Sequence, residues 1–255
     1  MYNANMLDEL PRPIVFAHRG ASARAPENTM AAFRLAADEG APAIELDAKL
    51  TKDGKVVVFH DGTLGRTTNG QGRVAEKTAG ELLALDAGSH FSLQHRDERI
   101  PLLEEVFEAL GRKVLINVEL TNYWTPRDDL VKRVCELVGK HSLQGDIILS
   151  SFYAPNLSQA ARLLPGVPRG LLAERGWRGA WARSFGFTFG DYIALHPYVT
   201  DASPHQMQRV HRLGRRVHVR TVNDLVEITR LADWGVDGIF TDDPKSALRA
   251  LGRSL

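Results

Sequence analysis

The chain has 255 residues, of which 44% are hydrophobic, and its 32 Lys and Arg almost balance its 31 Asp and Glu. This charge balance gives no indication of a nucleic-acid or membrane-surface partner, and the length suits one large α/β domain. Cys135 is the only cysteine, which excludes an intrachain disulfide and fits a reducing compartment. Because no basic leader with an apolar run is found, we expect a cytoplasmic protein without stable membrane insertion.

Predicted strands alternate with segments of helical periodicity along the chain. Runs rich in Val, Ile and Leu predict eight strands, at 14–18, 43–47, 114–119, 147–151, 168–172, 192–196, 216–221 and 238–241. The eightfold strand–helix order predicts an α/β fold, the (β/α)8 TIM barrel, whose functional residues lie at the C-terminal ends of the strands. We expect one domain over 1–255, with 62–100 as an insertion over the active-site rim.

Two of the predicted helices carry similar boundary signals. The segment "NTMAAFRLAADEG" has Asn28 as its predicted N-cap and Gly40 as its end, and "NDLVEITRLADWG" repeats the pattern between Asn223 and Gly235. The segment around "RGWRGAWARSF" gives the weakest helix prediction.

The stretch "IELDAKLTKDGKVVVFHD", residues 44–61, does not fit a strand–helix–strand unit. An Asp-Gly turn at Asp53 and Gly54, between two apolar runs, predicts a β-hairpin. The hairpin would be an antiparallel appendage to the barrel. It would place His60 nearly opposite Asp47 and over the carboxylates.

Three carboxylates are predicted to meet at one rim of the barrel. Strand periodicity puts Glu45 and Asp47 on the same face, and Glu119 ends the next barrel strand. Two unit charges 4 Å apart repel by roughly 4 kcal/mol at an effective dielectric of about 20, so a proton, a basic side chain or a metal must neutralise them. Pairing with arginine is the commoner fate of a single acid, but three acids together favour one divalent cation, Mg²⁺ or Ca²⁺, with Mn²⁺ also acceptable.

The first strand ends in "FAHRG", which places His18 and Arg19 at the same rim. A lone histidine after an apolar strand is more often structural, but here His18 and His60 flank the predicted metal site. Histidine can accept and donate a proton near neutral pH, and arginine offers a fork of donors that matches phosphate. Together these groups suit attack on a phosphodiester.

Six sequence blocks between His18 and Pro244 carry a resemblance to a known family. They are "HRGASARAPENTMAAF", "IELDAKLTKDGKVVVFHDGTLGRTTNGQG", "INVEL", "SSF", "TVND" and "GVDGIFTDDP". In these blocks the chain resembles the bacterial glycerophosphodiester phosphodiesterases, most specifically over His60 to Gly72. The resemblance implies a barrel related to phosphatidylinositol-specific phospholipase C. It also implies a small-molecule substrate, such as glycerophosphocholine or glycerophosphoethanolamine, hydrolysed to glycerol 3-phosphate and an alcohol.

The resemblance also implies roles for individual residues. It makes His18 and His60 the acid–base pair, Glu45, Asp47 and Glu119 the metal ligands, and Arg19 a phosphate contact. In the mechanism proposed for the family, the glycerol 2-hydroxyl of the substrate attacks phosphorus, and water then opens the resulting cyclic phosphate.

Two positions depart from the family pattern. Members usually carry a lysine two residues after the strand glutamate, where this chain has Thr121, and a tryptophan before "TVN", where it has Arg220. Strand alternation aims Arg220 at the phosphate site, so one hypothesis is that Arg220 replaces the missing cation. The alternatives are that Arg220 lies at the rim beside solvent or Asp242, or that the site has an altered substrate preference or reduced activity.

Other function classes fit the sequence less well. A zinc-dependent amidohydrolase-type barrel would need His-x-His after its first strand, and a non-catalytic binding barrel has no need of both histidines and all three acids. A lysophospholipase D, or a lyase that stops at the cyclic phosphate, would share nearly the same first step and stays open. The aromatic stretch "GWRGAWARSFGFTFG" could pack against a helix layer, bind a lysophospholipid chain or form a homo-oligomer contact.

Overall fold

A computed structural model describes residues 5–253 of the protein. In this range the strands are β1 (Ile14–His18), β2 (Ala43–Leu50), β3 (Val56–Val58), β4 (Leu115–Leu120), β5 (Ile147–Ser151), β6 (Arg169–Leu172), β7 (Ala194–His196), β8 (Arg216–Val219) and β9 (Gly238–Thr241). The α-helices are α1 (Met6–Glu9), α2 (Met30–Asp38), α3 (Ala79–Leu83), α4 (Leu103–Leu110), α5 (Leu130–Lys140), α6 (Ala154–Leu163), α7 (Phe187–Phe189), α8 (Pro204–His211), α9 (Leu225–Asp233) and α10 (Pro244–Ala250). None of these helices is long and apolar enough to cross a membrane.

Eight of the strands form a closed parallel barrel. They pair in the order β1-β9-β8-β7-β6-β5-β4-β2, and β2 pairs with β1 to close the sheet. The predicted (β/α)8 barrel is therefore confirmed. The register places His18 beside Glu45 and Asp47 beside Glu119, so the predicted site residues come together at the C-terminal rim.

The predicted hairpin is also confirmed, with one difference in register. Strand β3 pairs with β2 in antiparallel orientation, and Gly54 takes the positive φ of 75° that the turn requires. Because Phe59 donates its N–H to the Asp47 carbonyl at 2.8 Å, Phe59 and not His60 lies opposite Asp47. The pairing with β3 carries β2 to Leu50, three residues beyond its predicted end.

Residues 62–100 pack on the hairpin around a small apolar cluster that the two segments share. This cluster contains Val57, Phe59, Leu64, Val74, Leu82, Ala87 and Ile100. Helix α3 begins with a capping box in which Thr78 and Glu81 each accept from the other's backbone N–H. The packed cluster explains how a segment with little regular structure keeps a defined position beside the rim.

The interior of the barrel is partly aromatic. Phe16 and Phe240 stack with ring centroids 4.6 Å apart, beside the fully buried His196 and His218. Gly170 makes room for this packing, because a Cβ there would lie 2.4 Å from His196 Nε2. Burial lowers the pKa of His196 to about 3, so this histidine is neutral and packs inside the barrel.

The segment with the weakest helix prediction folds into short helical pieces after β6. It forms a 3₁₀ turn at 176–179, a π-type turn at 182–186 and then α7. The side chains of Trp177, Trp181, Phe185 and Phe189 are exposed, whereas Phe187 is buried and stacks with Tyr192. Most aromatic residues of this stretch therefore do not pack against a helix layer.

Candidate active site

Three carboxylates from two neighbouring strands form the floor of the site. One oxygen each from Glu45, Asp47 and Glu119 lies within 4.8 Å of the others, and all three side chains are buried. Strand alternation explains the convergence, because Glu45 and Asp47 share one face of β2 and Asp47 is in register with Glu119 of β4.

The three acids strongly perturb one another. Burial raises the pKa of Glu45 well above its usual value, and the charges of Asp47 and Glu119 raise it further. Burial and the charge of Asp47 also raise the pKa of Glu119. Burial opposes ionisation of Asp47 too, but the charges of Arg19 and His60 outweigh it and lower the Asp47 pKa. The cluster therefore holds more negative charge than its neighbours neutralise.

The surrounding cations compensate for this charge only in part. Arg19 Nε lies 3.4 Å from Asp47 Oδ2, and Arg220 Nη1 lies 3.8 Å from Glu119 Oε2. Glu45 accepts a hydrogen bond from the backbone N–H of Arg19 at 3.0 Å. Three buried carboxylates with incomplete neutralisation fit one hard divalent cation, because Mg²⁺ and Ca²⁺ prefer oxygen ligands.

His18 stands at the end of β1 with one ring nitrogen fixed. Its Nδ1–H donates to Asp242 Oδ1 at 2.7 Å, since a carboxylate can only accept, and its Nε2 lies 4.0 Å from Glu45 Oε2. Asn223 in turn donates to Asp242 Oδ2 at 2.5 Å. Nε2 is therefore the nitrogen of His18 that can exchange a proton beside the carboxylates.

His60 is held in the same way from the other side of the site. Its Nδ1–H donates to Asp61 Oδ1 at 2.5 Å. Arg66 donates to Asp61 Oδ2 at 2.6 Å and forms two hydrogen bonds with Glu27, which also accepts from Arg19 at 2.9 Å. This chain of ion pairs connects Asp61, which holds the His60 ring, to Arg19, which lies next to Asp47.

The Asp61 carboxylate should contribute to the acid stability of the protein. Burial raises its pKa, but hydrogen bonds from Arg66 and His60 outweigh burial and lower the pKa from 3.8 to about 2. The stabilisation is complete above pH 3.8 and is lost as the pH falls through about 2, because the unfolded chain takes up the proton first. In urea titrations, Asp61→Asn should lose less unfolding free energy than wild type between these pH values. Asp97→Asn, an exposed acid of 62–100, should follow wild type, and equal pH slopes for Asp61→Asn and wild type would contradict the assignment.

Two residues predicted as helix N-caps support the site instead. The N-caps of α2 and α9 are Thr29 and Asp224, one residue later than predicted. Asn28 donates to Asp47 Oδ2 at 2.9 Å, and Asn223 accepts the backbone N–H of Asp242 at 2.9 Å. The N-cap predictions were wrong because a second capping residue follows each asparagine, which leaves the amide free to bind a site carboxylate.

Several of the site residues line an open cleft of about 1210 Å³ at the rim. His18, Arg19, His60, Glu119 and Arg220 all contribute to its walls. Gly62, Thr63, Arg73, Val74 and Ala75 belong to 62–100 and line the cleft as well, together with Tyr123 and the exposed Trp124. The cleft is large enough for a small phosphodiester with its headgroup.

Comparisons with known proteins agree with this geometry. A model of the glycerophosphoryl diester phosphodiesterase family matches residues 18–246. The chain belongs to this family. A glycerophosphodiester phosphodiesterase of Caldanaerobacter subterraneus subsp. tengcongensis is 36% identical over 238 residues, which cover 93% of this chain and 97% of the relative. Membership confirms the resemblance found in the sequence blocks and makes the protein an enzyme, a phosphoric diester hydrolase.

Solved structures of family members have the same fold. A phosphodiesterase of Oleispira antarctica, determined in complex with the product sn-glycerol-3-phosphate, superposes with a TM-score of 0.87 at 31% identity, covering 97% of this chain and 99% of that one. A glycerophosphodiester phosphodiesterase of Agrobacterium tumefaciens gives a TM-score of 0.81 at 28% identity, covering 92% and 98%.

The two departures from the family pattern have clear structural settings. The Arg220 guanidinium lies between the rings of Phe152 and Tyr198, 4.4 and 5.0 Å from their centroids, and faces Glu119, not Asp242. Thr121 accepts a hydrogen bond from Lys49 Nζ at 3.0 Å. Burial lowers the pKa of this lysine, which also lines the cleft.

Sequence reasoning missed several of these supporting residues. Asp242 and Asn223 lie far along the chain from His18, and Lys49 was not singled out among the residues of β2. A signal for Lys49 was present, because it continues the Glu45–Asp47 alternation on the same face of the strand.

Proposed function

We propose that this family member hydrolyses glycerophosphodiesters, such as glycerophosphocholine and glycerophosphoethanolamine, to sn-glycerol 3-phosphate and an alcohol. One observation carries the proposal: two histidines, each with Nδ1 bonded to a carboxylate, stand beside a cluster of three buried acids, and both histidines line one cleft together with Glu119 of that cluster. This arrangement provides two proton-transfer groups beside a cation site, which in-line attack on a phosphodiester requires. We place the reaction in the cytoplasm, which suits the single buried thiol of Cys135.

Glu45, Asp47 and Glu119 would hold one divalent cation, Mg²⁺, Ca²⁺ or Mn²⁺, through their carboxylate oxygens. When bound, the cation would supply Lewis acidity and offset negative charge on the phosphoryl group. Asn28 and the Arg19 backbone N–H keep Asp47 and Glu45 in place, since each donates to one of these carboxylates.

The histidines move the protons in this proposal. One histidine takes the proton of the substrate 2-hydroxyl at Nε2 while that oxygen attacks phosphorus, and the other gives its Nε2 proton to the departing alcohol. The first products are a cyclic glycerol phosphate and the free alcohol. Water then opens the ring with the two histidines in exchanged roles, which returns both to their starting protonation states.

We assign Arg19 and Arg220 to the phosphate. The Arg19 side chain reaches both Glu27 and Asp47, beside the cation site. Arg220 is held by its two aromatic neighbours, and its Nε is buried without a hydrogen-bond partner among residues 5–253. Stacking fixes the plane of a guanidinium and leaves its N–H groups free to bind an anion.

Arg220→Lys tests this assignment. The substitution keeps the charge but removes the planar fork, so we expect the KM for glycerophosphocholine to rise by about 10-fold or more. Arg230→Lys is the matched control, because Arg230 stacks on Trp234 at 4.8 Å in the exposed part of α9. Steady-state kinetics indistinguishable between Arg220→Lys and wild type would contradict a phosphate role.

The reaction itself is tested by release of sn-glycerol 3-phosphate from glycerophosphocholine. We expect EDTA to abolish release and Mg²⁺, Ca²⁺ or Mn²⁺ to restore it, with products followed by phosphorus NMR. Accumulation of the cyclic phosphate would instead identify a lyase, and turnover restricted to lysophospholipids would identify a lysophospholipase D. No release from a folded protein with any of the three metals would refute the proposed reaction.

A further inference from the structure

Lys49 is a buried cation without an ionic partner in the part of the chain that the structure describes. Its side chain continues the face of β2 that carries Glu45 and Asp47, and the residue is only 8% exposed. The ammonium donates to the Thr121 carbonyl at 3.1 Å and to Thr121 Oγ1 at 3.0 Å. No carboxylate oxygen within residues 5–253 lies within 4.0 Å of Nζ. The charge is therefore compensated at short range only by two neutral oxygens.

The fold does not need this charge to hold β2 against β4. The two strands already pair over six residues, from Ala43 with Leu115 to Ala48 with Leu120, just before Lys49 and Thr121. Burial of an ammonium among neutral groups is unfavourable, and an apolar side chain of similar length would avoid that cost. A buried, unpaired charge at the edge of a cleft indicates a binding role more strongly than a structural one.

The ammonium still has binding capacity. Lysine carries three N–H donors, and Thr121 accepts from Nζ at two oxygens, which leaves one donor without a partner among residues 5–253. Lys49 and Thr121 both line the cleft that contains His18, His60 and Arg220. The partner that completes the hydrogen bonding of Lys49 can therefore come from the cleft.

The charges around the cleft identify the kind of partner. Lys49 lies at the β2 side of the acidic centre and experiences the fields of Asp47 and Glu119, whereas Arg220 approaches Glu119 from the end of β8. Once a divalent cation and Arg19 together balance the three acids, these two side chains present excess positive charge to the cleft. An anion with several oxygens, such as a phosphate group, complements this arrangement.

We propose that Lys49 is a substrate-binding residue that contacts the phosphate of the glycerophosphodiester and of the glycerol 3-phosphate product. The proposal rests on the proposed function, which supplies the phosphate. Thr121 acts as a positioning residue, because its two oxygens hold the lysine ammonium at the cleft wall. The contact adds a third cationic side chain, contributed by β2, to a phosphate site that already contains Arg19 and Arg220.

The test compares Lys49→Met, Lys49→Arg and Lys55→Met. Methionine keeps most of the side-chain length without the charge, arginine keeps the charge, and Lys55 is an exposed lysine of the same hairpin. Binding of inorganic phosphate and of sn-glycerol 3-phosphate is measured by titration calorimetry on the Mg²⁺-loaded protein. Thermal unfolding with and without Mg²⁺ is recorded for each variant, and the kinetics with glycerophosphocholine are measured in parallel.

We expect Lys49→Met to weaken the binding of both anions by about 10-fold or more and to raise the KM for glycerophosphocholine. The Mg²⁺-dependent increase in Tm should be retained. Lys49→Arg should recover part of the affinity, and Lys55→Met should match wild type. A double variant, Lys49→Thr with Thr121→Lys, moves the ammonium to the adjacent strand and should bind the anions more tightly than Lys49→Met.

Other results would overturn the assignment. Anion affinities of Lys49→Met equal to wild type, with or without a lower Tm, would make Lys49 a structural residue. Absence of phosphate and glycerol 3-phosphate binding by wild type would remove the anion role altogether. Failure of the proposed function is seen separately, as wild type that binds these anions but releases no glycerol 3-phosphate from any glycerophosphodiester.

Discussion

Replacement of His18 by alanine is expected to lower kcat for glycerophosphocholine by roughly 10²- to 10⁴-fold, the usual effect of losing one acid–base group. The expectation follows from the fixed position of the ring, in which Asp242 accepts from Nδ1 and Nε2 is left 4.0 Å from Glu45. Alanine removes the only nitrogen of His18 that can exchange a proton with substrate. The same loss is expected for His60→Ala, whose ring is held by Asp61.

The pH profile separates the two histidines. Each variant should lose one limb of the bell-shaped dependence of kcat/KM on pH, and the limb that disappears identifies the histidine that begins as base. His205→Ala is the control, because His205 is exposed at the start of α8. Turnover of folded His18→Ala within a few-fold of wild type would eliminate its role in proton transfer.

The second large effect is expected at the cation site. Binding of Mg²⁺ or Ca²⁺ at 100 times its Kd should stabilise the wild-type protein by about 2.7 kcal/mol, which raises the Tm of a chain of this size by about 5–10 °C. Glu45→Gln removes a ligand charge and should abolish most of this shift and most of the activity. In the absence of metal, the variant should be at least as stable as wild type, because one of three mutually repelling buried charges is gone.

A second acidic group provides the control for this experiment. Glu104, Glu108 and His141 also lie close together, but outside the cleft, and Lys140 already binds Glu104. Glu108→Gln should therefore leave both the metal-dependent Tm shift and the activity unchanged. If Glu45→Gln kept the wild-type Tm shift, the cation would not bind at the three buried acids.

The barrel and its acidic centre were predictable because their signals are local. The alternation of apolar and polar residues along "IELDAKL" and the apolar runs of the other strands depend only on neighbouring residues, and parallel strands in a closed barrel bring their C-terminal ends to one rim. Glu45, Asp47 and Glu119 could therefore be expected together before any contact was known. The Asp-Gly turn indicated the hairpin for the same reason, although its register was one residue off at His60.

The residues that hold the proposed catalytic groups in place were not predictable in this way. Asn28 and Asn223 resemble helix caps in sequence, and only the folded chain shows that Thr29 and Asp224 are the caps while both amides bind site carboxylates. Capping preference is a local property that two adjacent residues can satisfy equally well. The choice between them depends on which side chain finds a second partner in the tertiary structure.

The lysine that family members usually carry at the position of Thr121 gives a second example of what the sequence could not predict. The sequence alone identified Thr121 as a position where a cation is absent, and it suggested Arg220 as the replacement. The folded chain places Arg220 beside Glu119 and also brings Lys49 of the neighbouring strand onto Thr121 itself. A lysine on β2 can place its ammonium in the same region as a lysine at position 121 beside it. The sequence does not show this, because it does not state which residues of neighbouring strands lie side by side.

The sequence by itself therefore determined the family, the barrel and the identity of the five central ionisable residues, because strand periodicity and motif spacing are properties of short segments. Only the tertiary structure decided which groups hold those residues in place: Asp242 for His18, the Asp61–Arg66–Glu27 chain for His60, and Thr121 for Lys49. The physical reason is that His18 and Asp242 are 224 positions apart, and they meet only when β9 pairs with β1 to close the barrel.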